Sequence, residues 1–191
     1  MMNIHMFPTM FYGLEAPAEI TENVRNIISS LDYHQDGDHY TTDHQIHNLP
    51  ELSFYKDYLD HELDQLRLEN EWTCDRLTIA AMWGTRNTGQ VVDRHTHPMF
   101  FLSFIHYLTE GSPTHFFDPS KQAPPIWLGG PCLTQAKFRP GDNIPVGSIL
   151  FFPSWIPHSV ESHEEDYNRY TIAGNIFPEG RVTEHLNVAI I

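Results

Sequence analysis

The sequence predicts a mainly β domain with flanking helices, in which two N-terminal helices pack against an antiparallel barrel or two-sheet roll. Three observations point there. Apolar residues recur at helical spacing only within about the first seventy positions. After residue 74 the chain changes to short β-rich runs separated by Gly and Pro. A length of 191 residues with 40% apolar content suits one domain that buries its own core.

Taken in order, residues 4 to 12 are apolar and aromatic and read as an opening strand. The following "APAEITENVRNIISSL" places Ile20, Val24, Ile27 and Ile28 on one helical face. The polar "YHQDGDHYTTDHQIHNLP" reads as a loop or hairpin, and its four histidines are expected mostly in solvent. From Glu51 to about Asn70, a stripe of Leu52, Tyr55, Leu59, Leu63 and Leu66 faces away from Asp and Glu, giving the longest helix. The strands are read in "RLTIAAMWGT", "MFFLSFIHYL", "THFFDP", "TQAKFRP", "GSILFFPSW" and "RYTIAGNIF". Residues 1–191 then form a single domain. Its N-terminal strand and helices (1–73) pack on a barrel core (74–191), with the Pro/Gly-rich residues 118–131 looped at the rim.

Composition narrows function. Eleven Lys and Arg against twenty-five Asp and Glu give a net charge of −14, without a basic run, so nucleic acid is not an expected partner. The two cysteines, Cys74 and Cys132, form no C-x-x-C pattern and read as buried thiols of a reducing compartment. No apolar stretch reaches the length of a membrane span, and the first residues lack the pattern of a signal peptide, so the expectation is a soluble, cytoplasmic protein without a membrane partner. The aromatic "MFPTMFY" is a candidate surface for pairing in a homodimer.

Two stretches carry chemistry. In "VVDRHTHPMFF", His95 and His97 stand one residue apart, and on a strand such residues face one side about 6.6 Å apart, able to converge on one ion. Thirteen histidines make about one such pair an expectation of chance, so a third ligand is needed. It comes from "GSILFFPSWIPHSVESHEEDYNRYTIAGNIF", where Pro153 and Pro157 stiffen the backbone ahead of His158. Eleven residues on, Arg169 opens an apolar strand with Thr171 and Asn175 on its face. If His158 and Arg169 lie on neighbouring antiparallel strands joined by the acidic turn "SHEEDYN", imidazole and guanidinium point into one cavity. The alternative for Arg169 is a surface salt bridge to Glu164, Glu165 or Asp166.

The order His-x-His-Pro, then "FPSWIPH", then Arg-x-Thr, spread over roughly residues 75–177, resembles the Fe(II)/2-oxoglutarate-dependent oxygenases, in particular a small branch with HxHP and FPSWxxH motifs. The resemblance implies a double-stranded β-helix, or jelly-roll, core and a dioxygenase that uses Fe(II), 2-oxoglutarate and O2 to hydroxylate a substrate, releasing succinate. It implies His95 and His158 as iron ligands, His97 in the place usually taken by a carboxylate, Arg169 as the anchor of the co-substrate's distal carboxylate, and Thr171 as a supporting hydroxyl. A neutral imidazole at His97 would leave the ion its full positive charge and favour anionic ligands. Asp93, two residues before His95, is the alternative third ligand in reversed order. Tyr107 on the following strand is a candidate hydrogen-bond donor to the co-substrate, or else a core tyrosine. Asn175 is expected to line the pocket. The substrate class left open is a small molecule or peptide, covered by the rim loop with Trp127.

A cupin-type metal barrel without 2-oxoglutarate is the competing reading. It expects a Glu shortly after His-x-His, where this chain has Phe100, Phe101 and Leu102. Three histidines alone suit zinc equally well. Arg169 is what favours a dicarboxylate held at one end while its other end meets the metal.

Overall fold

The structure, a computed structural model, describes residues 9–37, 39–118, 135–161 and 168–180. Its order is β1 (Tyr12–Glu15), α1 (Ala18–Ser30), β2 (His34–Asp36), β3 (His39–Thr41), α2 (Ser53–Glu69), β4 (Arg76–Asn87), β5 (Val92–His95) and β6 (Leu102–Tyr107). There follow β7 (Thr114–Phe117), β8 (Gln135–Phe138), β9 (Ser148–Pro153), β10 (His158–Val160) and β11 (Arg169–Glu179). Two short 3₁₀ turns, Ile46–Asn48 and Pro50–Leu52, lead into α2.

The strands make two sheets. The larger runs β1-β9-β6-β11-β4-β3-β2 and the smaller β5-β10-β7-β8, with every neighbouring pair antiparallel. From β4 onward the chain passes back and forth between them, which is the wrapping of a jelly roll. The N-terminal segment does more than pack on this roll. β1 lengthens the large sheet beyond β9, and the β2–β3 hairpin lengthens it beyond β4.

One sequence expectation shifts. The opening strand begins at Tyr12, since residues 9–11 are irregular and residues 1–8 lie outside the described residues. Phe11, from the segment expected to pair in a dimer, packs within its own chain, its ring 4.9 Å from Phe116 and 5.9 Å from Phe152. The helices have a plain cause: Val24 and Ile28 on α1, and Tyr55, Leu59, Leu63 and Leu66 on α2, fall on buried faces at helical spacing. Burying each such side chain stabilises by about 1.5–3 kcal/mol.

The large sheet is buried on both faces, so β6 and β9 are buried at nearly every position, Ser103 and His106 included. Period-two alternation divides their side chains. Leu102, Phe104, Ile149, Phe151 and Ile172 meet the helices in one core, while Ile105, Tyr107, Leu150 and Phe152 face the interior of the roll with Phe116 of the small sheet. The same alternation along β11 sends Arg169, Thr171 and Asn175 inward.

A β-bulge interrupts the longest pairing. Ile176 lies opposite Ile79 and Asn175 opposite Ala81, leaving Ala80 as the extra residue on β4. Before it, Leu77 and Ile79 face the helices; after it, Met82 faces them, and Trp83, Thr85 and Asn87 face the roll's interior. Gly174 permits the close packing beside this bulge, since a Cβ there would overlap the Phe104 ring and lie 2.8 Å from the Ala81 carbonyl.

Among the described residues no helix is long and apolar enough to cross a membrane. Cys74 is a buried free thiol, and Cys132 lies outside the described residues.

Candidate active site

A cavity of about 490 Å³ opens inside the roll. The short strands of the small sheet bring two imidazoles to one end. His95 closes β5, His158 opens β10, and the antiparallel pairing sets the two residues directly opposite each other, with ring centroids 4.3 Å apart. His97 joins them from outside any strand. β5 ends at His95, and the chain at His97 is tied to the loop after β9 by its main-chain N–H, which donates to the Ser154 carbonyl at 2.9 Å. The convergence of His95 and His97 therefore comes from this loop tether, not from the pleat that the spacing suggested. One ring nitrogen from each of the three histidines lies within 4.8 Å of the others. Asp93 lines the cavity, but its carboxylate is outside that cluster.

Backbone carbonyls orient two of the rings. His95 Nδ1 lies 2.8 Å from the Asp93 carbonyl and His158 Nδ1 lies 3.0 Å from that of Ile156. A carbonyl can only accept, so each Nδ1 carries the hydrogen and each Nε2 is left bare as a donor to metal. His97 Nε2 is 3.3 Å from His158 Nε2, so the tautomer of His97 that leaves Nε2 bare is the one that would ligate beside it. Burial and the neighbouring imidazoles hold His158 down to about 3 and His97 to about 4, so both are neutral and ready to ligate at pH 7. The donor set fits a divalent metal that accepts imidazole nitrogen, iron(II) among them.

The large sheet supplies the other end. Arg169 at the start of β11 is 2% exposed, its Nη2 donates to Thr114 Oγ1 at 3.3 Å, and its guanidinium lies 5.6 Å from the centroid of the Tyr107 ring. Arg169 is thus buried and not at the surface, while residues 162–167, which include Glu164, Glu165 and Asp166, lie outside the described residues. Gly111 packs on the Arg169 stem, where a Cβ would sit 3.2 Å from the side chain. The Tyr107 hydroxyl is fully buried, and burial pushes it up to about 12 against the lowering influence of Arg169, so it stays a proton donor. Thr171 is hydrogen-bonded to Thr85, and Asn175 Oδ1 accepts from Ser103 Oγ at 2.8 Å. A guanidinium with the hydroxyl of Thr114 and the ring of Tyr107 beside it, lining the same cavity as the imidazoles, fits a dicarboxylate.

His158 and Arg169 do share the cavity, although by a different route from the one the sequence suggested. β10 belongs to the small sheet and β11 to the large one, so they face each other across the roll instead of pairing. Several lining residues escaped the sequence reading. His39 and His44, set aside as loop histidines, form one wall with Trp83, whose ring stacks on His44 at 4.6 Å and 18°. No sequence signal marks Trp83, because its face depends on the bulge at Ala80. The rim loop, apart from exposed Asp118, falls at residues 119–134, outside the described residues.

Comparison with known proteins agrees with this geometry. The family model of a 2OG-Fe(II) oxygenase matches residues 81–175, the span from β4 through the cavity face of β11. No curated protein matches by sequence. Among solved structures, the fold is similar to HygX from Streptomyces hygroscopicus with nickel and 2-oxoglutarate bound, at TM-score 0.65 and 14% identity over 89% of this chain and 83% of that one. It is also similar to an oxidoreductase of the 2OG-Fe(II) oxygenase family from Burkholderia pseudomallei, at TM-score 0.67 and 13% identity over 87% and 84%. A Pseudomonas putida prolyl-4-hydroxylase aligns at TM-score 0.60 and 13% identity over 90% and 94%. Family match, fold and donor set agree that the chain is an enzyme of the Fe(II)/2-oxoglutarate-dependent oxygenase superfamily, working with iron, 2-oxoglutarate and O2.

Proposed function

We propose that this enzyme couples decarboxylation of 2-oxoglutarate to succinate with hydroxylation of a small molecule or a peptide side chain. In this reading His95, His97 and His158 hold the iron, Arg169, assisted by Thr171 and Tyr107, holds the distal carboxylate of the co-substrate, and Asn175 lines the pocket. The observation that carries it is the placement of three converging imidazoles and a buried arginine in one cavity of about 490 Å³.

Bound iron supplies the activation of O2, which protein side chains cannot perform. The chain's own contributions follow from its geometry. Arg169 donates charge-assisted hydrogen bonds in a largely dry setting, where they strengthen. The apolar inner faces of β6 and β9 exclude water around it. Because three imidazoles bring no negative charge, the metal end keeps a full attraction for the 2-oxo acid group. The substrate is left the wall formed by Trp83, His44 and His39. A related fold, HygX, has been solved with hygromycin B, and SnoN with nogalamycin RO, and a small-molecule substrate here has that support alongside the cavity size.

The test is anaerobic titration of untagged protein with Fe(II) and then 2-oxoglutarate, followed by succinate formation on admitting air. The expected result is a visible charge-transfer band that needs both additions, and 2-oxoglutarate-dependent succinate. Iron binding with neither band nor succinate would point instead to a cupin-type metal barrel.

A further inference from the structure

The three imidazoles are not held alike. Carbonyl oxygens of Asp93 and Ile156 orient His95 and His158, whereas among the described residues no carbonyl takes the Nδ1 of His97. Nor does a strand fix its ring, since His97 stands beyond the end of β5. Its main chain is tethered through Ser154, and its Nε2 meets that of His158. An imidazole on such a segment keeps two side-chain torsions to be restricted by packing.

Apart from the other two imidazoles, each with its centroid 5.1 Å away, the ring that meets it is Trp83, with centroids 5.7 Å apart and planes at 48°. Trp83 reaches this wall because the extra residue Ala80 reverses the facing of β4. His44 covers the indole at 4.6 Å, nearly parallel. His44 is itself placed by main-chain bonds: Met82 N–H donates to its carbonyl at 2.9 Å, Thr42 N–H donates to Gly84 O at 3.0 Å, and Gly84 N–H donates to Thr42 Oγ1 at 2.9 Å. The segment before the helices is thus fastened to β4 where its imidazole lies over the tryptophan.

We propose that Trp83, clamped by His44, is the positioning residue for His97, restricting by ring packing the one imidazole that no carbonyl orients. This rests on the reading of the three histidines as the iron site. It makes the N-terminal segment part of that site, because His44 lies outside the span that carries the ligands.

The probe is Co(II), titrated anaerobically into untagged full-length protein, with affinity and visible d–d absorption as readouts. Loss of an outer support to a metal ligand lowers affinity about 10- to 100-fold, and Trp83→Leu is expected in that range. His44→Ala is expected to lose less, and Trp83→Phe to recover most of the affinity, since a ring and not the indole N–H does the packing. The decisive comparison repeats Trp83→Leu in a His97→Asp background. A carboxylate is too short to pack on the indole, so the loss there should shrink to below about threefold, a non-additive cycle. An equal loss in both backgrounds, or Trp83→Phe as poor as Trp83→Leu, overturns the positioning role. If Trp83→Leu does not fold, His44→Ala through the same cycle decides with the same criterion on a smaller effect. Wild type that binds no Co(II) removes the iron-site reading and this inference together, whereas tight wild-type binding with an additive cycle removes this inference alone.

Discussion

The two sheets of the roll are built differently, and the site is divided between them. The large sheet has seven strands, is covered by helices on one face and by the roll on the other, and carries Arg169, Thr171 and Asn175 on an eleven-residue strand. The small sheet has four short strands and presents a partly polar outer face with His115, Lys137 and Glu161. His95 and His158 sit at the ends of strands of four and three residues, and His97 lies beyond one. The end proposed for the co-substrate is therefore fixed by the pleat of a buried sheet. The end proposed for the metal is fixed by strand termini, carbonyl bonds and a loop tether, so single hydrogen bonds and ring contacts matter more there.

The sharpest break of this comparison falls on the small sheet. His158→Ala is expected to abolish stoichiometric Fe(II) binding, measured anaerobically, while the metal-free protein keeps its far-ultraviolet circular dichroism. Retained wild-type affinity would move the metal elsewhere. On the large sheet the strongest effect should be on stability. Gly174→Ala forces a methyl group against Phe104 and the Ala81 carbonyl, and is expected to cost about 1–3 kcal/mol in urea unfolding. An unchanged midpoint would mean that the sheet yields there.

A pH experiment separates the helix-facing core from the metal end. His106 is fully buried beneath the helices, hydrogen-bonded to Tyr55 at 2.9 Å and lying 3.3 Å from Thr21 Oγ1, and burial holds it down to about 3. Its unfolded form binds a proton near 6.5, so between about pH 6.5 and 3 the unfolded state is the better proton acceptor. Stability should fall as pH drops through that window, by up to about 1.4 kcal/mol per pH unit for each such histidine. In metal-free protein His97 and His158 contribute the same sign. His106→Gln should reduce the slope by one proton, while saturating metal, which keeps His97 and His158 unprotonated in the folded state, should leave their share in place. A slope untouched by His106→Gln would contradict its burial as a neutral base. The smallest effect belongs to the outer face of the small sheet, where Lys137 and Glu161 pair at 2.9 Å with both side chains nearly half exposed. Lys137→Ala should change stability by less than about 1 kcal/mol, and by less still at high salt.

The same contrast explains what could be read in the sequence. Arg169, Thr171 and Asn175 were legible because period two holds along an uninterrupted strand, and α2 because its leucines keep helical spacing over seventeen residues. The three histidines proposed as ligands were legible only through the order of short motifs. Their pairing was not, because strands of three and four residues give almost no periodic signal, and His158 was joined in sequence to the wrong neighbour. Trp83 and His44 were invisible for another reason. A one-residue bulge reverses the facing of half of β4, and main-chain bonds from a distant loop set the histidine in place. Neither leaves a trace in composition or spacing.

The division of labour between the sheets is tested most directly by measuring iron and 2-oxoglutarate affinities in Arg169→Ala against wild type under matched iron loading. A charge-assisted hydrogen bond to a largely desolvated carboxylate contributes roughly 1.5–3 kcal/mol. The account predicts that 2-oxoglutarate weakens about 10- to 150-fold while Fe(II) affinity stays within about twofold. Wild-type affinity for 2-oxoglutarate in the variant would contradict it.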